Sequence, residues 1–216
     1  EVVLFSRQRV LDRGICLRDG VIVSNNRPVL PAADIRLPGV HNLENYMAAI
    51  TAVEGLVPDE VMREFARTFG GVPHRIELVR TRDGVRWYND SIASSPSRTI
   101  AGLRSFRQKV LLIAGGYDKH IPYDSLGPEI VNFVKTLYLT GDTAEKIRTA
   151  VMSAPEYSPG NPKIVLCADL KEAVDRAAAD AQADDIVILS PASASFDRFK
   201  NFEERGNAFK AMVNAL

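Results

Sequence analysis

Three observations predict an α/β fold built on a mostly parallel sheet. From residue 109 onward, apolar runs alternate with segments whose apolar residues recur at three- and four-residue steps. The runs are continuous rather than alternating, as expected of strands covered on both faces. Each run is followed by one helical segment, so the strands are joined by right-handed βα crossovers. A chain of 216 residues accommodates one large domain, or one complete domain with part of another.

The elements follow in order. Residues 2–6, 14–18 and 21–24 read as short strands, the last two forming a hairpin about Asp19-Gly20. After Pro38-Gly39, the residues Leu43, Tyr46, Met47, Ile50, Val53 and Leu56 keep helical spacing behind an Asn42 cap. A second helix spans residues 59–69, opened by Pro58 and closed by Gly70-Gly71. The Gly70-Gly71-Val72-Pro73 stretch is the expected domain boundary, dividing residues 1–72 from residues 73–216. Beyond it, residues 76–81 and 85–88 flank Asp83-Gly84 as a hairpin. The βα series then gives strands at 110–114, 136–139, 163–167 and 185–189, with helices at 123–133, 143–152, 170–182 and 199–216.

Composition narrows the function classes. Lys and Arg total 27 and Asp and Glu 27, so the formal charge is zero and no basic coat exists for nucleic acid or an anionic membrane. Hydrophobic residues at 46% and charged residues at 25% describe a globular chain that can fold. No apolar run reaches the ~18 residues of a membrane span, and no basic segment leads into a signal-like apolar core. Cys16 and Cys167 lack the paired spacing of a zinc site or disulfide framework, which fits a reducing cytoplasm. The sequence opens without Met inside an apolar run, and a piece of a longer polypeptide is expected.

Open α/β sheets bind ligands beyond the carboxyl ends of their strands. That rule selects Gly115-Gly116-Tyr117-Asp118-Lys119-His120, Gly141-Asp142-Thr143, Ala168-Asp169 and Ser190-Pro191-Ala192-Ser193-Ala194-Ser195. There is no Gly-x-x-x-x-Gly-Lys-Ser/Thr loop and no Gly-x-Gly-x-x-Gly after a strand, so the chain has no phosphate cradle of its own. His41, His74 and His120 lack short metal-ligand spacing and read as structural histidines. The serine-rich loop lacks a nucleophile elbow; its hydroxyls and backbone donors suit either an anion or the capping of the following helix. Lys119, beside Asp118, is either a solvated cation or an anion contact at the same sheet edge.

Several motifs occur together in a recognisable order: His41-Asn42-Leu43-Glu44-Asn45, Pro73-His74-Arg75, Trp87-Tyr88-Asn89-Asp90-Ser91, Gly115-Gly116-Tyr117-Asp118-Lys119 and Ser190-Pro191-Ala192-Ser193-Ala194-Ser195-Phe196-Asp197. This series resembles the ATP-dependent Mur ligases of peptidoglycan synthesis over nearly the whole chain. The tail Phe199-Lys200-Asn201-Phe202-Glu203-Glu204-Arg205-Gly206 is similar to the members that add D-glutamate. The resemblance implies the end of a central ATPase domain followed by a complete C-terminal Rossmann-like domain. The UDP site, P-loop, Mg2+ ligands and carbamylated lysine of the family would precede residue 1.

It further implies that Asn42 and Asn45 contact the adenine side of ATP, Arg75 its phosphates and Asp90 the ribose hydroxyls. Ser94, Lys119, Ser195 and the backbone N–H of Phe202 would hold the D-glutamate carboxylates, residue types suited to charge-assisted hydrogen bonds with an anion. Without the resemblance, Arg75 and Asp90 would read as surface charges. The implied partners are ATP, UDP-N-acetylmuramoyl-L-alanine and D-glutamate, with no nucleic acid and no membrane, and none of these residues reads as a general base. Ile92 stands where many family members have lysine, and supplies no cation there. The rival readings are a non-catalytic ligand-binding or interaction module and a related amide ligase such as a folylpolyglutamate synthase.

Overall fold

The computed structural model describes residues 2–37 and 39–216. Pro38, expected to open the first helix with Gly39, lies outside the described residues, as does Glu1. Two compact units are present, one ending at Gly71 and the other running Val72–Leu216.

The first unit has a four-stranded sheet in the order β1 (Phe5–Ser6), β2 (Ile15–Arg18), β3 (Val21–Ser24) and β4 (Arg27–Pro31). β1 runs parallel to β2, and the other pairs are antiparallel. Each hairpin turns on two residues with positive φ, Asp19 and Gly20 in one, Asn25 and Asn26 in the other, the dihedrals that a tight turn between twisted strands requires. Helices α1 (Val40–Val53) and α2 (Asp59–Thr68) supply Met47, Ile50, Met62 and Ala66 to a core shared with Ile15, Ile22 and Leu30.

Two expectations for α1 need correcting. Its N-cap is Gly39, whose carbonyl accepts from the Asn42 N–H at 3.0 Å, so Asn42 lies in the first turn and is not the cap. The helix stops at Val53 because Gly55, at φ 78°, turns the chain; Leu56 is left exposed.

The second unit opens with the antiparallel pair β5 (Glu77–Arg82) and β6 (Val85–Asn89), followed by α3 (Pro96–Leu103). Then come β7 (Val110–Ala114), α4 (Leu126–Phe133), β8 (Val134–Leu139), α5 (Ala144–Met152), β9 (Lys163–Leu166), α6 (Leu170–Asp180), β10 (Ile186–Leu189) and α7 (Phe202–Ala215). The sheet order is β5-β6-β10-β7-β8-β9, and every pairing except β5 with β6 is parallel. Neighbouring residues along each central strand face opposite ways. Leu112, Leu137 and Ile188 pack with α3, α4 and α5, whereas Leu111, Tyr138 and Val187 pack with α6 and α7. This two-sided cover is the Rossmann-like α/β architecture.

The final helix begins at Phe202, later than its apolar pattern suggested, because Asn201 is its cap and accepts from the Glu204 N–H at 2.7 Å. Tyr123, expected in a helix, precedes α4 and instead lends its hydroxyl to the loop cluster described below.

Helices α4 and α5 meet at Gly127, where a Cβ would stand 2.1 Å from the carbonyl oxygen of Ala150. Backbone cannot give way as a flexible side chain would. Gly127→Ala should therefore cost about 1–3 kcal/mol in urea unfolding. Gly70→Ala, with nothing within 4 Å of the added carbon, should stay within about 0.5 kcal/mol of the parent. Equal midpoints for both variants would contradict this packing.

Candidate functional site

The chain leaves β7 outward through β8 and β9, then returns to place β10 between β6 and β7. The crevice beyond the carboxyl ends of β6, β10 and β7 is thus the point where strand order reverses, the position where such sheets take ligands. The loops there are bonded to one another through their backbones. Asp90 donates its N–H to Leu189 at 2.8 Å, Gly115 to Pro191 at 2.8 Å, and Tyr117 to Ala194 at 3.0 Å. Gly115 and Gly116 make this approach possible: a Cβ would lie 2.0 Å from the Thr140 oxygen at the first and 2.3 Å from the Ala194 oxygen at the second.

Buried hydroxyls fill the space behind these loops. The Thr143 Oγ1 accepts from the Gly116 N–H at 3.1 Å and lies 2.8 Å from the Ser193 Oγ, which is also 2.8 Å from the Tyr123 hydroxyl. Ser190 is committed to Asp90 and Thr99. The serine-rich loop therefore spends two of its three hydroxyls on internal bonds, and the capping alternative falls to Asn201 rather than to any of these serines.

Arg205 was not singled out by the sequence reading, and it ties the cluster together. Only 4% exposed, it sits in the second turn of α7. Its Nε donates to Ser91 Oγ at 3.0 Å, one terminal nitrogen to the Ser193 and Ala194 carbonyls at 3.2 and 2.9 Å, and the other to the Ser91 and Ser193 carbonyls at 2.9 and 3.2 Å. Burial lowers its pKa to about 10. An arginine in an amphipathic helix ordinarily reads as a solvated face; the available signal was its adjacency to Gly206, a residue that permits close helix packing. A Cβ at Gly206 would stand 2.2 Å from the His74 Nδ1.

His74 is a buried packing residue. Asn89 donates its amide to the ring Nδ1 at 3.0 Å, leaving the neutral ring with its proton on Nε2, and the ring meets Phe202 edge-on at 5.9 Å. Burial, and then the charge of Lys210, hold its pKa below the usual value.

The residues expected to hold a dicarboxylate fall on these loops. Lys119 is exposed and donates to the Ser94 carbonyl at 3.1 Å, bringing the loops after β7 and β6 together. Tyr117 pairs with Ala194, which puts Lys119 on the loop that runs beside Ser195. Ser195 is itself buried, and its carbonyl accepts from the Arg198 and Phe199 N–H groups at 3.1 and 2.8 Å. Phe202 opens α7, and its carbonyl accepts from the Ser91 hydroxyl at 2.8 Å.

The residues expected on the nucleotide side are divided between the two units. In the first unit, the Asn45 amide donates to the Asn42 Oδ1 at 3.4 Å across one helical turn. In the second, Arg75 is exposed while Asp90 is buried, so the surface-charge reading that Asp90 has without the resemblance does not hold. The Asp90 oxygens accept from the Ile76 N–H at 3.3 Å and the Ser190 hydroxyl at 2.8 Å.

Burial raises the Asp90 pKa from 3.8 to about 7, against the opposing pull of those hydrogen bonds and of Arg75 and Arg98. Protonated, Asp90 donates to Ser190, whose hydroxyl then donates to the Thr99 Oγ1 at 3.0 Å; ionised, Asp90 accepts the hydrogen bond of the Ser190 hydroxyl instead. Because the folded pKa lies above the unfolded one, the native state binds the extra proton, and stability falls as pH rises from about 4 to about 7. The contribution is on the order of 4 kcal/mol. Asp90→Asn should flatten this decline in urea unfolding measured across that window; parallel pH profiles for the two proteins would contradict it.

Known proteins resemble this chain in sequence and in fold. The profile of the Mur ligase, glutamate ligase domain matches residues 74–193. The chain is 54% identical over 222 aligned positions to the UDP-N-acetylmuramoylalanine--D-glutamate ligase of Acetivibrio thermocellus, covering 100% of this chain and 48% of that enzyme. UDP-N-acetylmuramate-alanine ligase MurC of Thermotoga maritima has the same fold, with a TM-score of 0.63 at 14% identity over 90% of this chain and 42% of its own. So does the bifunctional folylpolyglutamate synthase/dihydrofolate synthase of Yersinia pestis, solved with AMPPNP and manganese, with a TM-score of 0.60 at 17% identity over 89% of this chain and 43% of its own. The chain spans about half the length of the curated relatives it matches. Since the profile runs from the buried His74 to the buried Ser193 and takes in more than half of the chain, this chain belongs to the Mur ligase family and carries its glutamate ligase domain.

Proposed function

We propose that this chain is the C-terminal part of an ATP-dependent ligase that joins D-glutamate to UDP-N-acetylmuramoyl-L-alanine in peptidoglycan synthesis. The observation that carries the reading is the convergence of the Ser94, Lys119 and Ser195 loops and the α7 N-terminus at the sheet's switch point. The named function of the 54% identical relative supports the choice of reactants. On this reading residues 1–72 close a central ATP-binding domain, and residues 73–216 form the glutamate-binding domain. ATP and a nucleotide-linked substrate place the reaction in the cytoplasm.

In the proposed reaction the L-alanyl carboxylate attacks the γ-phosphorus of ATP, giving an acyl phosphate and ADP. The D-glutamate amine then attacks the acyl carbon, and the tetrahedral species expels phosphate and loses a proton to leave the amide. This chain's residues orient the reactants, a recognised source of rate. Lys119 supplies a cation to a glutamate carboxylate, Ser94 and Ser195 supply neutral donors, and the Phe202 N–H adds the donor of a helix start.

Arg75 is accessible for a phosphate, and Asn42 and Asn45 present amides from one face of α1. Contact between Asp90 and a ribose requires the groups that cover the carboxylate to move, since it is buried. Among the described residues no group of three or more His, Cys, Asp or Glu side chains is placed to hold a metal ion, so no role here is routed through Mg2+.

Two experiments test the reading. The 216-residue chain alone should release no phosphate above blank with all three substrates present, since its sequence carries no P-loop motif; turnover would refute this division of labour. In the full-length ligase, Lys119→Ala should raise the D-glutamate KM about ten- to a hundredfold, the equivalent of one charge-assisted hydrogen bond, while the ATP KM holds. Ser195→Ala should act in the same direction but less strongly. Unaltered D-glutamate saturation in both variants would defeat the assignment.

A further inference from the structure

Arg205 has an unusual set of partners for a buried cation. Its bonds go to three backbone carbonyls and one hydroxyl, all neutral, and among the described residues no carboxylate lies within ion-pair distance. A buried charge is ordinarily paired, because leaving water is expensive and carbonyl dipoles offset that cost only when several converge. Room for the guanidinium is made by Gly116, where a Cβ would stand 3.1 Å from a terminal nitrogen.

We propose that Arg205 is a positioning residue for the anionic amino-acid substrate: by gathering the carbonyls of Ser91, Ser193 and Ala194 it sets the faces that the strand-end loops and the start of α7 present to the substrate carboxylates. This rests on the ligase reading above and adds a residue to it. The mechanism follows from peptide geometry. In a trans peptide the C=O and the next N–H point in opposite directions. With the Ala194 carbonyl drawn to Arg205 and to the Tyr117 N–H, the Ser195 N–H is turned to the other face of its loop.

The second link runs through Ser91. Its hydroxyl accepts from the Arg205 Nε and donates to the Phe202 carbonyl, so the same guanidinium fixes the first residue of α7. A planar fork with five N–H groups can hold these acceptors at once; a lysine ammonium, one compact centre on a flexible stem, cannot span them.

The test uses the full-length ligase containing this chain, with D-glutamate and ATP saturation measured for Arg205→Lys, Ser91→Ala and Lys119→Ala beside the parent. Arg205→Lys keeps the charge and loses the fork, and should raise the D-glutamate KM at least tenfold while the ATP KM stays within twofold. Ser91→Ala keeps the arginine and cuts its link to α7, and should raise the D-glutamate KM about three- to tenfold; it decides the matter if Arg205→Lys does not fold. A D-glutamate KM within twofold of the parent in both variants, or a fall in kcat with neither KM moved, would show a merely structural arginine and overturn the proposal. If Lys119→Ala still impairs D-glutamate use in that case, the ligase reading stands without it. If the parent itself makes no product from D-glutamate, the ligase reading fails and takes this proposal with it.

Discussion

The insertion of β10 between β6 and β7 is the constraint from which the rest of the second unit follows. It brings the chain back to the middle of the sheet after two outward steps, so that the serine-rich loop emerges between the loops of two strands far earlier in sequence. The hydrogen bonds from Gly115 to Pro191 and from Asp90 to Leu189 are the direct result. Such contacts leave no space for side chains, and the pair Gly115-Gly116 is the local chemistry that permits them. Sequence distance of about a hundred residues thereby becomes hydrogen-bond distance, as between Ser190 and Asp90.

Asp90 and Arg205 are both buried at this edge, and the structure accommodates them by different means. Arg205 keeps its charge and surrounds it with carbonyl oxygens, which is feasible because guanidinium loses its proton so reluctantly. Asp90 has only two donors and a raised pKa, and a proton completes its network with Ser190 and Thr99. The cation therefore acts as a fixed brace and the carboxyl as a titrating one. Both lie behind the loops, while Lys119 lies exposed in front of them.

Much of this architecture is legible in the sequence. The βα alternation after residue 109 shows because strands covered on both faces carry continuous apolar runs, and Val110–Ala114 matches its expected bounds. β4 escapes the sequence reading because Pro28 and Pro31 in Arg27–Pro31 resemble loop chemistry, yet an edge strand tolerates proline. α3 escapes because Ser94-Ser95-Pro96-Ser97 reads as a turn, although proline at the first helical position is a recognised opening. Within the site, Lys119 and Ser195 stand out by motif, whereas the burial of Asp90 and the reach of Arg205 depend on strand order, which no local pattern encodes.

Covering about half the length of its relatives, the chain contains the loops proposed to receive glutamate but no phosphate cradle of its own. The most direct test is a crystal structure of the full-length ligase with D-glutamate bound. The account predicts the two carboxylates within hydrogen-bond distance of the Lys119 Nζ and the Phe202 N–H, with the loops still gathered on Arg205. D-glutamate bound away from the carboxyl ends of β6, β7 and β10, or Lys119 pointing into solvent with the ligand in place, would contradict it.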